Sequence, residues 1–433
     1  MCGICGFNFE DKSLIKKMCD LIIHRGPDDE GYYTDKTVSL GMRRLSIIDL
    51  KTGHQPQHNE DEDIWAIFNG EIYNFRDLRE ELIVKGHNFY TNSDTEVIIH
   101  AYEEWGMDCV LKFRGPFTFC IYDLEKKILF LARDHMGLKP LYYFYEEKFI
   151  FASEIKSILS HNVPRELNKK ALDLYFSLKY VPFVETLFKS IFKLPPSSYL
   201  KFDLKKNKLE IKKYWSIKFN NKNQKPKSVL AQELRYLIEE NVKSRLISDV
   251  PIGAFLSGGI DSSSIVGIMS KYMENPVKTF SIGFEEGAPI NELNYAKLVS
   301  DHFNTDHTEL LVKASIYEIL PNLIWYLDDL ISDAAFIPVF FMAKHAREKM
   351  TVALSGDGAD EILSGYSGYY QTNINGIITK IPKFIPKNLM KFYKLIPSFT
   401  GKLILSYLNR SKTNIDRFLR TISLPDEEKA ILA

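Results

Sequence analysis

Cys2 is the first residue in the chain whose type and position could carry chemistry. A thiol is the best side-chain nucleophile near neutral pH, and it needs a base to become a thiolate. If Met1 is removed, the α-amine of Cys2 itself, with a reference pKa of about 7.7–8.0, can act as that base without a histidine. Residues 2 and 3 are both small, which suits that removal. Two glycine loops in the second half offer a different chemistry. Leu256-Ser257-Gly258-Gly259-Ile260-Asp261-Ser262-Ser263 falls between an expected strand and an expected helix. Its backbone N–H groups, aided by the helix dipole, can surround an anion. The blander alternative is a capped helix after a glycine turn, with Asp261 or Ser262 as the cap. The second loop, Ser355-Gly356-Asp357-Gly358-Ala359-Asp360-Glu361, also follows an expected strand and adds three acidic side chains. Carboxylates beside polyphosphate make sense if Mg²⁺ bridges them, with Asp261 and Asp360 as the metal-side candidates.

The elements that must position these residues differ between the halves. Up to about Leu200 the apolar runs are short and strand-like: Thr37–Leu50, Ile64–Phe68, Pro116–Asp123, Ile128–Arg133, Leu141–Tyr145 and Lys148–Ala152. Helical spacing appears at Phe75–Lys85 and Thr95–Trp105. Clustered strands with few helices between them predict a layered α+β domain. The polar stretch Asn220 to Ser228, which carries Pro226, reads as a linker. Beyond it strands and helices alternate: helix Val229–Arg245, strand Ile252–Leu256, helix Ser262–Tyr272, strand Val277–Phe284, helix Asn291–Phe303 and strand His307–Val312. Helices Ile316–Leu327 and Ile337–Lys349 and strand Thr351–Leu354 follow. Alternation predicts a parallel, doubly wound α/β sheet, which binds ligands at the carboxyl ends of its strands. Ile282, on one such strand, would then lie near an adenine, with plain core as the alternative.

Composition narrows the function classes. The 433 residues exceed one core and suggest two or three domains. Lys+Arg and Asp+Glu each number 56, so nothing favours nucleic acid or an anionic membrane as the main partner. No apolar run approaches the ~18 residues of a membrane span, and the N-terminus lacks the features of a signal peptide, so a cytoplasmic location is expected. The five cysteines are odd in number and all lie in the first third, which argues against a disulfide framework. Cys2 and Cys5 form a Cys-x-x-Cys pair, but no second pair completes a zinc site. Lys380, Lys383, Lys387, Lys391 and Lys394 could form a basic face for a membrane or partner, yet Pro382 and Pro386 interrupt any helix there and favour a solvated surface.

Five motifs follow Met1-Cys2-Gly3-Ile4 in order: His24-Arg25-Gly26-Pro27-Asp28, Arg44-Leu45-Ser46-Ile47-Ile48-Asp49, Asn69-Gly70-Glu71-Ile72-Tyr73-Asn74, Ser93-Asp94-Thr95-Glu96 and the run Arg133 to Leu141. Together they resemble the class II glutaminase domain of glutamine amidotransferases. The resemblance implies an N-terminal-nucleophile hydrolase fold with αββα layers. It also implies roles: Cys2 attacks the glutamine amide, and Asn69 with the N–H of Gly70 stabilises the oxyanion. Arg44 receives the substrate carboxylate, and Glu71 and Asp94 its ammonium. The residue types suit these roles, since guanidinium forks match carboxylates and glycine permits close backbone approach. Taken singly, Arg44 could be a surface cation, Asp94 a helix cap and Asn69-Gly70 a turn. Arg25, Arg133 and Asp134 are expected to fix loops around the site.

The first glycine loop lacks the Gly-Lys-Ser/Thr ending of a Walker A motif. It is similar to the pyrophosphate loop of N-type ATP pyrophosphatases, whose adenine nucleotide α-hydrolase-like fold is expected here. That likeness implies ATP contacts at Leu256, Ser257, Gly258, Gly259, Asp261, Ser262, Ile282, Ser355 and Gly356. A class II glutaminase joined to such a loop pair resembles the glutamine-dependent asparagine synthetase family over nearly the whole chain. The implied domains are residues 1–205 and 206–433. The implied reaction uses glutamine, aspartate, ATP and Mg²⁺: aspartate is adenylated and ammonia from the Cys2 site displaces AMP. A related acceptor such as a sugar acid, or a chain with glutaminase or binding activity only, are the alternatives. The family's synthetase domain continues beyond the second loop into a segment not matched between Lys380 and Ala433, so the second domain is expected to be truncated. A homodimer is a candidate assembly.

Overall fold

The structure, a computed structural model, describes residues 1–219, 223–284, 292–312, 316–366 and 369. The basic stretch from Lys380 and part of the expected linker lie outside them. The first half holds twelve strands: β1 Gly3–Phe7, β2 Asp29–Thr34, β3 Ser39–Arg44, β4 Gln57–His58, β5 Ile64–Gly70, β6 Phe117–Asp123, β7 Ile128–Arg133, β8 Tyr142–Tyr145, β9 Phe149–Ala152, β10 Ile191–Lys193, β11 Ser198–Asp203 and β12 Lys208–Lys213. Its helices are α1 Lys12–Asp20, α2 Phe75–Val84, α3 Asp94–Trp105, the short α4 Ile155–Ile158 and α5 Lys169–Leu178.

These strands form two antiparallel six-stranded sheets, ordered β10-β8-β9-β1-β3-β2 and β12-β11-β7-β6-β5-β4. One apolar layer, including Ile4, Leu40, Met42, Ile67, Tyr122, Leu131 and Phe151, fills the space between the sheets. A second, with Ile15, Met18 and Ile155, lies between the first sheet and α1 and α4. A third, with Phe119, Phe130, Leu78, Leu82 and Ile98, lies between the second sheet and α2 and α3. The result is the expected αββα sandwich. Burial on both faces explains why β6 is buried at all seven positions instead of alternating.

The second half holds a parallel sheet of β13 Ile252–Phe255, β14 Lys278–Phe284, β15 Asp306–Val312 and β16 Val352–Leu354, in the order β15-β14-β13-β16. Its helices are α6 Lys227–Ser244, α7 Ile260–Tyr272, α8 Leu293–Phe303, α9 Ile316–Leu327, α10 Phe336–Ala346 and α11 Ala359–Leu363. This is the expected mixed α/β architecture.

Two local readings are corrected. The strand expected over Thr37–Leu50 stops at Arg44, and Leu45 onward forms a loop. Lys227 and Ser228, expected in the linker, begin α6. The tight turn between β11 and β12 spans residues 204–207, and β12 completes the second sheet.

Candidate active site

Cys2 sits just before β1. That strand pairs with β3 on one side, Gly3 opposite Arg43, and with β9 on the other. The register carries Cys2 alongside the residues that follow β3, where the Leu45 N–H donates to its Sγ at 3.4 Å. Its carbonyl accepts from Arg25 Nε at 2.9 Å. Cys2 shares the strand face of Ile4, toward the space between the sheets. Cys5 faces the other way, its Sγ 3.5 Å from that of Cys19.

A cavity of about 60 Å³ opens beside Cys2, and Arg44, Asn69, Gly70, Glu71 and Asp94 all line it, together with Met1 and Lys139. The structure thus brings together the six first-half residues expected to bind or react with glutamine, while Arg25, Arg133 and Asp134 lie outside the cavity lining. The bland alternatives fail on position. Arg44 is only 5% exposed, and its Nη2 donates to the carbonyls of Ile48 and Asp49, which anchor the guanidinium at the cavity wall. The cap of α3 is Ser93, which accepts from the Thr95 N–H, while the Asp94 carboxylate accepts from the Ile72 N–H at 3.0 Å. Asn69 and Gly70 end strand β5 and do not form a turn. Asn69 is fully buried, and neither atom of its side-chain amide has a protein partner. Gly70 is fixed by packing: a Cβ there would lie 2.3 Å from the Pro116 carbonyl oxygen.

Burial dominates the electrostatics of this cavity. It pushes the Cys2 thiol up, against the pull of the Met1 α-amine and the Leu45 N–H. Burial and the neighbouring Asp94 hold Glu71 well above the usual carboxylate range. Burial also lifts Asp94 to about 6, against the Ile72 N–H and Arg44. Lys139 is lowered by burial although Glu71 favours its charge. Two enclosed carboxylates that resist ionising would regain their charge beside a cation.

Sequence reasoning assigned no role to Lys139. Asp134 accepts from the N–H groups of Met136, Leu138 and Lys139, and Arg133 donates to the carbonyls of Gly137, Lys139 and Leu194. The two side chains fold residues 134–139 into a fixed loop that delivers Lys139 to the cavity. Its signal was its place inside the fifth motif.

In the second half, β13 lies between β14 and β16, with Ala254 opposite both Thr279 and Leu354. Parallel pairing brings their carboxyl ends to one edge, where the two glycine loops touch. A Cβ on Gly356 would lie 3.0 Å from Cβ of Asp261. They line a cavity of about 830 Å³ with Leu256, Ser257, Gly259, Asp261, Ser262, Ile282, Ser355, Gly356 and Asp360. Gly258 does not line it. Its φ is +80°, and a Cβ would meet the backbone of Tyr295 at 2.4 Å, so glycine serves the turn and the approach to α8. The cap of α7 is Gly259, not Asp261 or Ser262. The Ser262 hydroxyl instead accepts from the Ser257 N–H at 3.2 Å, closing the loop on itself.

Among the described residues, Asp261 and Asp360 form no ion pair, whereas Asp357 accepts from Ser355 and Glu361 from Tyr366. Hard carboxylate oxygens fit Mg²⁺. The one grouping of three close metal-ligating side chains among the described residues is elsewhere, at His87, His100 and Glu103. Asp261 and Asp360 would therefore hold Mg²⁺ only together with phosphate oxygens and water, the usual arrangement for this ion.

A thiol cavity on an αββα sandwich, joined to glycine loops on a parallel sheet, defines an amidotransferase-type chain. Residues 1–215 match the glutamine amidotransferase domain family and residues 233–426 the asparagine synthase family. The chain is 39% identical to asparagine synthetase [glutamine-hydrolyzing] 1 of Bacillus subtilis, over 99% of this chain and 68% of that protein. It is also 39% identical to the putative asparagine synthetase [glutamine-hydrolyzing] 2 of Methanocaldococcus jannaschii, over 89% of this chain and 79% of that one. The chain belongs to the glutamine-hydrolysing asparagine synthetase family.

Proposed function

We propose that the chain hydrolyses glutamine at Cys2 and uses ATP to turn aspartate into asparagine with the ammonia released. The observation that carries the glutaminase reading is the buried, unpartnered amide of Asn69 beside the Cys2 thiol. A buried amide with no partner costs about 1–3 kcal/mol, which makes sense if its partner arrives with the reaction.

Met1 removal exposes the Cys2 α-amine and enlarges the cavity that Met1 lines. That amine takes the thiol proton as Sγ attacks the side-chain carbonyl of glutamine. Asn69 Nδ2–H donates to the oxyanion, with the Gly70 N–H beside it. Arg44 takes the substrate carboxylate, and Glu71 and Asp94 its ammonium. Ammonia leaves, and water hydrolyses the thioester to glutamate. In the second half, the loop N–H groups and the start of α7 cradle the phosphates. The adenylate lies against Ile282, Ser355 and Gly356. Asp261 and Asp360 would hold Mg²⁺, which would supply charge neutralisation for the phosphates. The aspartate side-chain carboxylate attacks the α-phosphorus of ATP, pyrophosphate leaves, and ammonia then displaces AMP. The domains divide between Lys213 and Lys227, and the enzyme works in the cytoplasm, as a homodimer.

The test is glutamate release from glutamine by the chain and by Cys2→Ala. Release by the first and none by the second supports the reading, provided ATP affinity is equal in both. Undiminished release by Cys2→Ala refutes it.

A further inference from the structure

His87, His100 and Glu103 bring three metal-ligating atoms within 4.8 Å of one another, outside the linings of both cavities. Local sequence places each of them. Lys85 and Gly86 end α2 in a Schellman turn: Gly86 has a φ of +102°, its N–H donates to the Ile83 carbonyl, and the His87 N–H donates to the Leu82 carbonyl at 3.1 Å. That turn fixes the backbone of His87. His100 and Glu103 are three positions apart on α3 and so share one face of the helix. The His87 and His100 rings lie 5.1 Å apart between centroids.

Glu103 Oε2 is the point on which they converge. It lies 2.7 Å from His100 Nδ1 and 3.4 Å from His87 Nδ1. Ligand atoms on a tetrahedral Zn²⁺, each at about 2.0–2.1 Å from the ion, stand about 3.3 Å from one another. The His87 separation already fits. The His100 separation opens by about 0.6 Å when the ion replaces the proton shared by that pair. Glu103, 20% exposed, has room for the adjustment, whereas His100 is fully enclosed.

The atoms that face away from this point are held as the outer atoms of metal ligands are. The other Glu103 oxygen accepts from Asn59 Nδ2 at 2.8 Å. His87 Nε2 lies 3.6 Å from Glu104 Oε2, and His100 Nε2 lies 3.6 Å from Glu96 Oε1. Glu96 is itself fully buried and accepts from the N–H groups of Tyr90 and Thr91 at 2.8 and 2.7 Å. A carboxylate behind each imidazole selects the tautomer that turns the Nδ1 lone pair toward Glu103, the usual support of a histidine on a metal. His100 Nε2 is buried and makes no hydrogen bond. Seating Nδ1 on an ion makes Nε2 the N–H and draws it to Glu96, which satisfies a nitrogen that a plain charge cluster leaves orphaned.

We infer that His87, His100 and Glu103 form a binding site for Zn²⁺, with water in the fourth position. Two imidazoles and one carboxylate suit this ion, whereas Mg²⁺ and Ca²⁺ favour oxygen ligands, so the site differs in chemistry from Asp261 and Asp360. The ion ties the turn after α2 to α3 in the layer that covers the second sheet.

The experiment uses the full, untagged chain carrying Cys2→Ala, since Cys2 is the one cysteine that is not buried and its thiol would compete for zinc. After stripping with EDTA, equilibrium dialysis against Zn²⁺ should load one equivalent that excess Mg²⁺ does not displace. His87→Gln and Glu103→Gln should each lower the zinc affinity at least tenfold, while Asp261→Asn should leave it unchanged. Co²⁺ in place of Zn²⁺ should give the visible absorption of a tetrahedral site, lost in His87→Gln. A thermal melt covers the case of a variant that folds poorly: Zn²⁺ should raise Tm by at least about 3 °C in the chain with all three ligands. No zinc bound, equal affinity in His87→Gln and the chain with all three ligands, or a melt indifferent to zinc would each overturn the site and leave only a proton between His100 and Glu103.

Discussion

Asn69→Ala separates a catalytic amide from a structural one, because the two roles predict opposite changes. The side chain is fully buried with no protein partner on either amide atom. In the free enzyme its burial therefore costs about 1–3 kcal/mol that no hydrogen bond recovers. Truncation removes that cost and leaves a small cavity worth about 1–2 kcal/mol in the other direction. The net change in stability is close to zero, and for a domain of this size Tm should move by no more than about 4 °C. In the transition state the same amide donates to the oxyanion, and loss of one such donor typically lowers kcat about 10²–10³-fold, or about 2.7–4 kcal/mol. The assay is glutamate release over a range of glutamine concentrations, beside a thermal melt of the same preparation. Near-normal kcat with a Tm lowered by more than about 8 °C would show that Asn69 is a structural residue and refute the reasoning.

Active chain should begin at Cys2, so intact-mass measurement of active protein should show Met1 gone; retained Met1 would exclude the α-amine as base. Because burial lifts Asp94 to about 6, it takes up a proton as pH falls through that value, and only its ionised form holds an ammonium. kcat/KM for glutamine should therefore fall on the acid side of about pH 6 while kcat changes less, and the absence of that limb would remove Asp94 from the ammonium site. Asp261→Asn and Asp360→Asn should each weaken Mg-ATP binding at least tenfold by calorimetry, with ATP binding in EDTA and glutamine hydrolysis little altered. Unchanged Mg-ATP affinity in both would retire the metal assignment.

Local signals carried far in this sequence. The expected helix at Thr95–Trp105 begins one residue earlier, at Asp94, and strand Ile128–Arg133 has the expected bounds, because a continuous apolar run bounded by turn residues is specified locally. The glycine loops were legible for the same reason, since a strand, a glycine turn and a helix are specified within a dozen residues. The ordered motifs marked the αββα layers and the six first-half site residues. What sequence could not supply was the partner of each group. Asp94 and Asp261 stood in sequence positions that suit a helix cap, and only the backbone geometry gave those caps to Ser93 and Gly259. Gly70 looked like an accommodation to substrate, yet it is required by the neighbouring strand β6. Lys139 reaches Met1, 138 positions away, and Glu154 bridges to Arg25 across 129. Contacts at such separations follow from sheet register and layer packing, sums over many weak terms that no short stretch encodes. Residue types and spacing thus determined which chemistry this chain can attempt. Tertiary structure decided which groups stay unpaired and which are held.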